Sequence, residues 1–227
     1  MAGGPGPGDP GGGLRGEAIF RLNLSDLLAR RGDRHEAEHH LERLQEICRR
    51  FHFPHVEAAI PLNRALAAWF AGDAPETIRR ADVVLNPDTE SPPPTQTAHA
   101  RVARALALLG RLLAGASEEE IRDALLALEN EGREGQHPNW SDDREMVALA
   151  RIRAYQVLGK TEVALQLLSE ARARLVEPFG RGLLHLQEAT LLDGWDPARV
   201  RILHEEAGRI LEPLELLWSI APSGLQP

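Results

Sequence analysis

The stretch that decides the fold is "LARIRAYQVLGKTEVALQLLSEARARLVEP", which runs from Leu149 to Pro178. Its pattern predicts one helix, a turn centred on Gly159, and a second helix that ends before the proline. Glycine reaches a turn conformation that other residues reach only with strain. A small residue, Ala164, allows the two helices to approach closely. The stretch therefore predicts a helical hairpin.

The same unit recurs along the chain, with turn glycines at spacings of 40, 43, 44 and 35 residues. These glycines are Gly32, Gly72, Gly115, Gly159 and Gly194. No stretch shows the period-two alternation of an exposed strand. A single hairpin cannot cover its own apolar stripe, so consecutive hairpins are expected to stack. We predict an all-α fold, a right-handed superhelix (α-solenoid) of five antiparallel hairpins and ten helices.

The ends of the chain differ in composition from the repeats. Residues 1–13 are almost entirely Gly and Pro, and they cannot bury enough surface to fold. We predict a disordered tail over 1–13, one repeat domain over 14–220 and a second tail over 221–227. The last helix, "ILEPLELLWSIAP", is rich in apolar residues. Three roles remain open for it: capping the superhelix, docking to a second copy as a homodimer, or docking to a neighbouring domain.

Helix starts carry recognisable capping signals. Ser117 and Glu120 have the spacing of a capping box, and Asp196 precedes Pro197 as an N-cap precedes a proline at the first helical position. Asp142 is a third predicted cap, with an acid three residues later.

Composition restricts the class of protein. The net charge of −8 argues against a primary role on nucleic acid or acidic lipid, where a basic footprint is expected. The single cysteine, Cys48, cannot form an internal disulfide, and no apolar run is long enough to span a membrane. The N-terminus lacks the regions of a signal peptide. We expect a soluble cytoplasmic protein without a cofactor.

The fourth unit resembles a tetratricopeptide repeat. It nearly follows that family's pattern at Tyr155, Gly159, Ala164, Leu168, Ala171 and Pro178. The first unit is similar at Ser25, Leu28, Gly32, Ala37, Leu41 and Leu44. The others depart from it, with Thr77 where alanine is expected and Arg104 and Arg111 where apolar residues are expected.

The spacings also exceed the family's usual period of about 34 residues. Longer repeats of this kind resemble the sensor and activator domains of large bacterial transcription regulators. The resemblance implies a non-enzymatic scaffold that binds a protein or peptide in a concave groove. The alternative that it implies is a ligand-sensing or regulatory module of a transcription regulator.

The alignment also predicts which residues line that groove, mainly from the first helix of each hairpin. The lining positions are Asp26, Ala29, Arg30, Leu66, Trp69, Phe70, Arg153, Gln156, Val157, Glu188, Leu191 and Leu192. The predicted partner-binding residues among them are Arg30, Leu66, Trp69, Phe70, Arg153, Gln156 and Glu188.

Each of these assignments has an alternative. Trp69 and Phe70 are candidates because aromatic residues anchor interfaces, but either one can instead pack between hairpins. Arg153 is predicted to contact an acidic group of the ligand. Its alternatives are a pair with Glu188 or a solvated position.

The segment "HEAEHH", from His35 to His40, contains the H-E-x-x-H spacing of zinc proteases. On a helix, His35 and His39 share a face, and Glu36 would be the general base of a metallohydrolase. However, both histidines lie roughly 160° from Ala37, which marks the buried stripe. A metal there would lie on the solvent side, without walls to exclude water.

Two further observations oppose a catalytic zinc site. Glu38 lies inside the motif, where zinc proteases generally carry uncharged residues. The extended motif also fails, because Glu42 and Gln45 replace its glycine and third histidine. We therefore predict a solvated helix face, and the remaining alternative is weak metal binding at the surface by His35 and His39.

Overall fold

The computed structural model describes residues 10–86, 94–131, 141–175 and 177–214, and its regular structure in these ranges is entirely helical. The all-α class predicted from the sequence is confirmed. Eleven α-helices occur in the described ranges: α1 (Pro10–Arg30), α2 (Arg34–Phe51), α3 (Pro54–Glu57), α4 (Ile60–Phe70), α5 (Ala74–Leu85), α6 (Pro94–Leu113), α7 (Glu118–Glu131), α8 (Ser141–Val157), α9 (Thr161–Arg174), α10 (Pro178–Leu192) and α11 (Pro197–Leu211).

All five predicted turn glycines separate two helices, and all five adopt a positive φ, between 70° and 80°. At the first turn, the amide of Gly32 donates to the Ala29 carbonyl and the amide of Asp33 donates to the Leu28 carbonyl, both at 2.9 Å. This pair of bonds is a Schellman motif, which satisfies carbonyls that a helix end leaves without partners. The same pair recurs at Gly72, Gly115 and Gly159. The glycines therefore set five hairpins: α1–α2, α4–α5, α6–α7, α8–α9 and α10–α11.

Apolar stripes position the helices within each hairpin. In α2 the stripe consists of residues that are at most 4% exposed: Ala37, Leu41, Leu44, Ile47 and Cys48. These are the positions that helical periodicity predicts. The opposite face of α2 is left to charged residues and histidines.

The predicted caps are formed at two helix starts. The Ser117 amide donates to Glu120 Oε2 at 2.9 Å, and the Glu120 amide donates to Ser117 Oγ at 3.3 Å, as a capping box requires. The Asp196 side chain accepts from the Arg199 amide at 3.0 Å. The third predicted cap, Asp142, lies within a helix and not before its first residue, because α8 begins at Ser141.

Consecutive hairpins pack against one another. The first helices contact each other in chain order, from α1 to α4, α6, α8 and α10, and the second helices α2, α5, α7 and α9 each also contact the first helix of the following hairpin. One hydrophobic cluster includes residues of all five hairpins, from Ala29 in α1 to Leu211 in α11. None of the described helices is long and apolar enough to cross a membrane.

The chain ends differ from the sequence-based boundaries. Helix α1 begins at Pro10, inside the stretch 1–13 for which the composition predicts a tail. Most of the predicted last helix lies outside the described residues, beyond a short 3-10 turn at Glu212–Leu214. The homodimer predicted through that helix therefore stays a prediction.

Candidate functional site

Arg30, at the end of α1, is the centre of the first polar cluster on the first helices. Its Nε donates to Asp26 Oδ2 at 3.0 Å, and its Nη1 lies 3.5 Å from Glu145 Oε2 in α8. Its guanidinium carbon lies 4.6 Å from the centre of the Phe179 ring in α10, a cation–π distance. The Glu145 side chain is only 4% exposed. These contacts, which we call the Arg30 cluster, join the first, fourth and fifth hairpins.

The predicted aromatic anchors belong to the packing around this cluster. The Trp69 and Phe70 rings are 4.8 Å apart, and the Phe70 ring lies 5.7 Å from that of Phe179. Trp69, Phe70 and Leu66 are 2%, 3% and 3% exposed. Their side chains therefore pack in the hydrophobic core, and they leave little surface for a partner to contact.

A glycine permits the close approach of α10 to α8 beside Glu145. A Cβ atom on Gly180 would lie 2.5 Å from Glu145 Oε1, closer than side-chain atoms come. A larger residue at position 180 would require the Glu145 side chain to shift, so the glycine permits α10 to lie close to this carboxylate.

Arg153, on α8, is the centre of the second polar cluster. Its Nε donates to Gln187 Oε1 in α10 at 2.9 Å. Gln187 Nε2 donates to Gln156 Oε1 at 2.8 Å, and Gln156 Nε2 donates to the Thr190 carbonyl at 3.4 Å. We call these four residues the Arg153 cluster. The chain of amides holds the guanidinium from one side, and Gln187, which is 1% exposed, is its central member.

Arg153 has no carboxylate partner in the part of the chain that the structure describes. Its bond to Gln187 is the only hydrogen bond it forms there, and no neighbouring charge contributes to the shift of its pKa. Desolvation lowers the pKa of this guanidinium to about 10, which still leaves it cationic at pH 7. The residue retains partial exposure, and its two Nη nitrogens are not sealed from solvent.

Glu188, the alternative partner that the sequence suggests for Arg153, pairs elsewhere. Its carboxylate forms an ion pair with Arg172 in α9, and its Oε1 lies 3.5 Å from Arg199 Nη2 in α11. The side chains of consecutive residues on a helix point about 100° apart, so Gln187 and Glu188 contact different neighbouring helices. The structure brings Gln156 to Arg153 and does not bring Glu188 there.

The histidines of the H-E-x-x-H segment lie on the exposed face of α2. His35 and His39 are both exposed, and the His39 ring lies 5.9 Å from the ring of His40. Within residues 10–86, 94–131, 141–175 and 177–214, no three His, Cys, Asp or Glu side chains are grouped to hold a metal ion. The two histidines thus lie in the solvated position that the helical face predicts.

Cys48 lies in the core of the first hairpin. Burial, with a smaller effect from Glu57, raises the pKa of its thiol to about 11. At neutral pH the group is a thiol, which is a poor nucleophile.

A cleft of about 430 Å³ lies between α5, α6 and α7. It contains Arg104 and Arg111, the two arginines that interrupt the repeat pattern of the third unit, together with the acidic side chains of Asp82, Glu120 and Asp123. Opposite charges therefore line the same cleft, and Glu120 is already engaged in its capping box.

Sequence reasoning missed three residues of the two clusters: Glu145, Phe179 and Gln187. Gln187 had a visible signal, because it is a polar residue on the apolar helix "LLHLQEATLL". Glu145 lies two helical turns before Arg153, on the same side of α8. No signal in the sequence connects Phe179 to Arg30.

Comparison of the chain with protein-family models, with curated proteins and with solved structures gives no match. The functional assignment of the Arg30 and Arg153 clusters therefore rests on their geometry.

Proposed function

We propose that this chain is a non-enzymatic helical-repeat scaffold that binds a protein or peptide partner. In this proposal the five hairpins form a right-handed solenoid, and the binding surface is the exposed part of its concave side around Arg153. The Arg153 cluster is the polar contact of that surface, and it receives an acidic group of the partner.

The observation that supports the proposal is the uncompensated charge of Arg153. Charged side chains that lose their hydration are normally paired, because desolvation costs several kcal/mol unless an opposite charge offsets it. Arg153 is instead held by a neutral amide, at 2.9 Å from Gln187. A positioned cation without an internal anion favours an anion supplied by another molecule.

The guanidinium of the Arg30 cluster is not available to an anion of a partner in the same way. Its guanidinium already contacts two carboxylates and a ring. Binding at Arg30 would require these contacts to break, so we assign that cluster to the architecture.

Affinity capture from an extract of the source organism, with quantitative mass spectrometry, tests this proposal. Wild type is expected to enrich a defined set of proteins, and Arg153→Glu to lose them. Arg201→Glu is the matched control, since it makes the same charge change on a side chain that is 77% exposed. Equal capture by Arg153→Glu would remove the site from the proposal, and no enrichment by wild type would remove the scaffold function.

A further inference from the structure

We propose that Gln187, braced by Gln156, is a positioning residue that presents the Nη edge of Arg153 end-on to a single carboxylate of the partner. This inference rests on the proposed function and specifies the chemistry of its site.

The first argument is the number of donors that remain. A guanidinium has five N–H donors, and it can meet a carboxylate either side-on, through Nε and one Nη, or end-on, through both Nη atoms. Gln187 already occupies the Nε donor of Arg153. Only the end-on approach remains, and it accommodates two parallel bonds to one carboxylate.

The second argument is the rigidity of the acceptor. The Gln187 side chain both accepts from Arg153 and donates to Gln156 Oε1 at 2.8 Å, which fixes the plane of its amide. Gln156 is held in turn by the Thr190 carbonyl. A guanidinium that is held at Nε retains less rotamer freedom before binding. Less side-chain conformational entropy is therefore lost when an anion binds.

The third argument is the neutrality of the acceptor. A glutamate at position 187 would also accept from Arg153, but it could not donate to Gln156 and it would neutralise the guanidinium. The amide of glutamine provides the same acceptor geometry and leaves the positive charge available. Neutrality at this position therefore sets the affinity of the site for an anion.

The charge count favours a carboxylate over a phosphate. The site offers one uncompensated positive charge, and the nearby cations Arg172 and Arg199 are engaged by Glu188. A phosphomonoester carries about −1.5 to −2 charges at pH 7, which a single guanidinium does not balance. The net charge of −8 on the chain further disfavours a dianion. Val157, one turn beyond Arg153 on α8 and 52% exposed, provides an apolar contact beside the anion.

The test uses fluorescein-labelled random peptide pools, measured by fluorescence anisotropy against the full chain. One pool has acidic side chains and an amidated C-terminus, and a second has a free C-terminal carboxylate and no acidic side chain. A third has neither carboxylate, and a fourth replaces the acids with phosphoserine. We expect one of the carboxylate pools to bind at least about tenfold more tightly than the pool without carboxylates. The pool that binds identifies the source of the carboxylate.

Variants of the site distinguish the positioning of Arg153 by Gln187 from a general electrostatic attraction between the chain and the peptide. Gln187→Glu is expected to weaken binding about tenfold or more, because the new carboxylate pairs with Arg153. Gln166→Glu adds the same charge on the exposed face of α9 and is expected to leave binding unchanged. Arg153→Lys retains the charge but loses the second nitrogen of the fork, so binding should also weaken. This variant tests the two-bond contact of the guanidinium even if Gln187→Glu fails to fold.

The outcomes distinguish this inference from the proposed function. Tighter binding of the phosphoserine pool, or unchanged binding by both Gln187→Glu and Arg153→Lys, would overturn the inference and leave a scaffold that binds otherwise. No binding of any pool to wild type would overturn the inference, whereas the proposed function fails only if affinity capture by wild type enriches no partner.

Discussion

Arg30 and Arg153 both lie in the last turns of first helices, α1 and α8, yet their surroundings differ in charge. Arg30 contacts Asp26 and Glu145 and lies over the Phe179 ring. Arg153 contacts the amide of Gln187, and it has no carboxylate partner in the described residues. The role of a partly buried arginine therefore depends on whether the fold itself supplies its anion. The fold supplies carboxylates to Arg30, and this residue joins hairpins. It supplies none to Arg153 in the described residues, so that positive charge remains available for a ligand.

The largest expected effect is the loss of stability in Arg30→Met. This variant removes the guanidinium that lies 3.5 Å from the buried Glu145 carboxylate, and loss of one partner of a buried ion pair typically costs about 3–5 kcal/mol. Urea denaturation followed by circular dichroism at pH 7 measures the change in the free energy of unfolding. Arg43→Met is the control, since Arg43 and Glu46 form an exposed pair that is expected to contribute little.

The double variant Arg30→Met/Glu145→Met sharpens this prediction. Replacing both charges with apolar side chains should recover much of the lost stability, because the buried carboxylate is removed together with its cation. A cost below about 1 kcal/mol for Arg30→Met alone would show that the cluster is not a structural ion pair.

A smaller effect is expected for Arg153→Met. Removal of an unpaired, partly desolvated charge relieves its desolvation cost, while Gln187 loses one hydrogen bond. Because these effects oppose each other, stability should remain within about 1 kcal/mol of wild type. The same denaturation experiment measures it. A loss as large as that of Arg30→Met would mean that Arg153 is structural, and the contrast between the two arginines would fail.

The smallest expected effect concerns His185, on a different side of α10 from Gln187. Burial lowers the pKa of His185, as do Arg172 and, to a smaller extent, Arg181, against the opposing effects of Glu206 and Glu188. The unfolded chain therefore binds this proton more readily than the fold does. The stability that His185 contributes in its neutral form should be fully present above the ordinary histidine pKa of about 6.5. It should fall as the pH drops below that value.

Thermal unfolding at pH 7.5 and pH 5.5 measures this effect, and His185→Gln should lose less stability on acidification than wild type. Peptide binding at Arg153 should not change between pH 6 and pH 8, because the guanidinium remains charged throughout. A parallel loss of binding would show that the two sides of α10 are coupled.

Local features of the fold could be predicted from single stretches of sequence. The five turn glycines, the capping box at Ser117 and the buried stripe of α2 each depend on residues a few positions apart. Local steric and hydrogen-bonding rules govern such features, so one stretch suffices to predict them. The exposed position of His35 and His39 follows from the same helical periodicity.

The candidate site could be predicted only in part. The repeat alignment predicted that Arg153 and Gln156 line one surface, and in the structure each of them forms a hydrogen bond with Gln187. Their role in binding a partner stays a prediction. Trp69 and Phe70 were predicted from the repeat alignment and from residue type, which do not distinguish an interface anchor from a core residue. They are 2% and 3% exposed, with Phe70 packed against Phe179 of another hairpin and Trp69 packed against Phe70.

Short stretches of sequence suffice to predict that this protein is helical, where its hairpins turn and which stripe of α2 is buried, because these follow from interactions within one or two helical turns. Which arginine is neutralised depends instead on the packing of separate helices. Glu145 reaches Arg30 and Glu188 reaches Arg172 through contacts between separate helices. Ion pairs depend on distances of a few ångströms, and those distances are set by how whole hairpins pack.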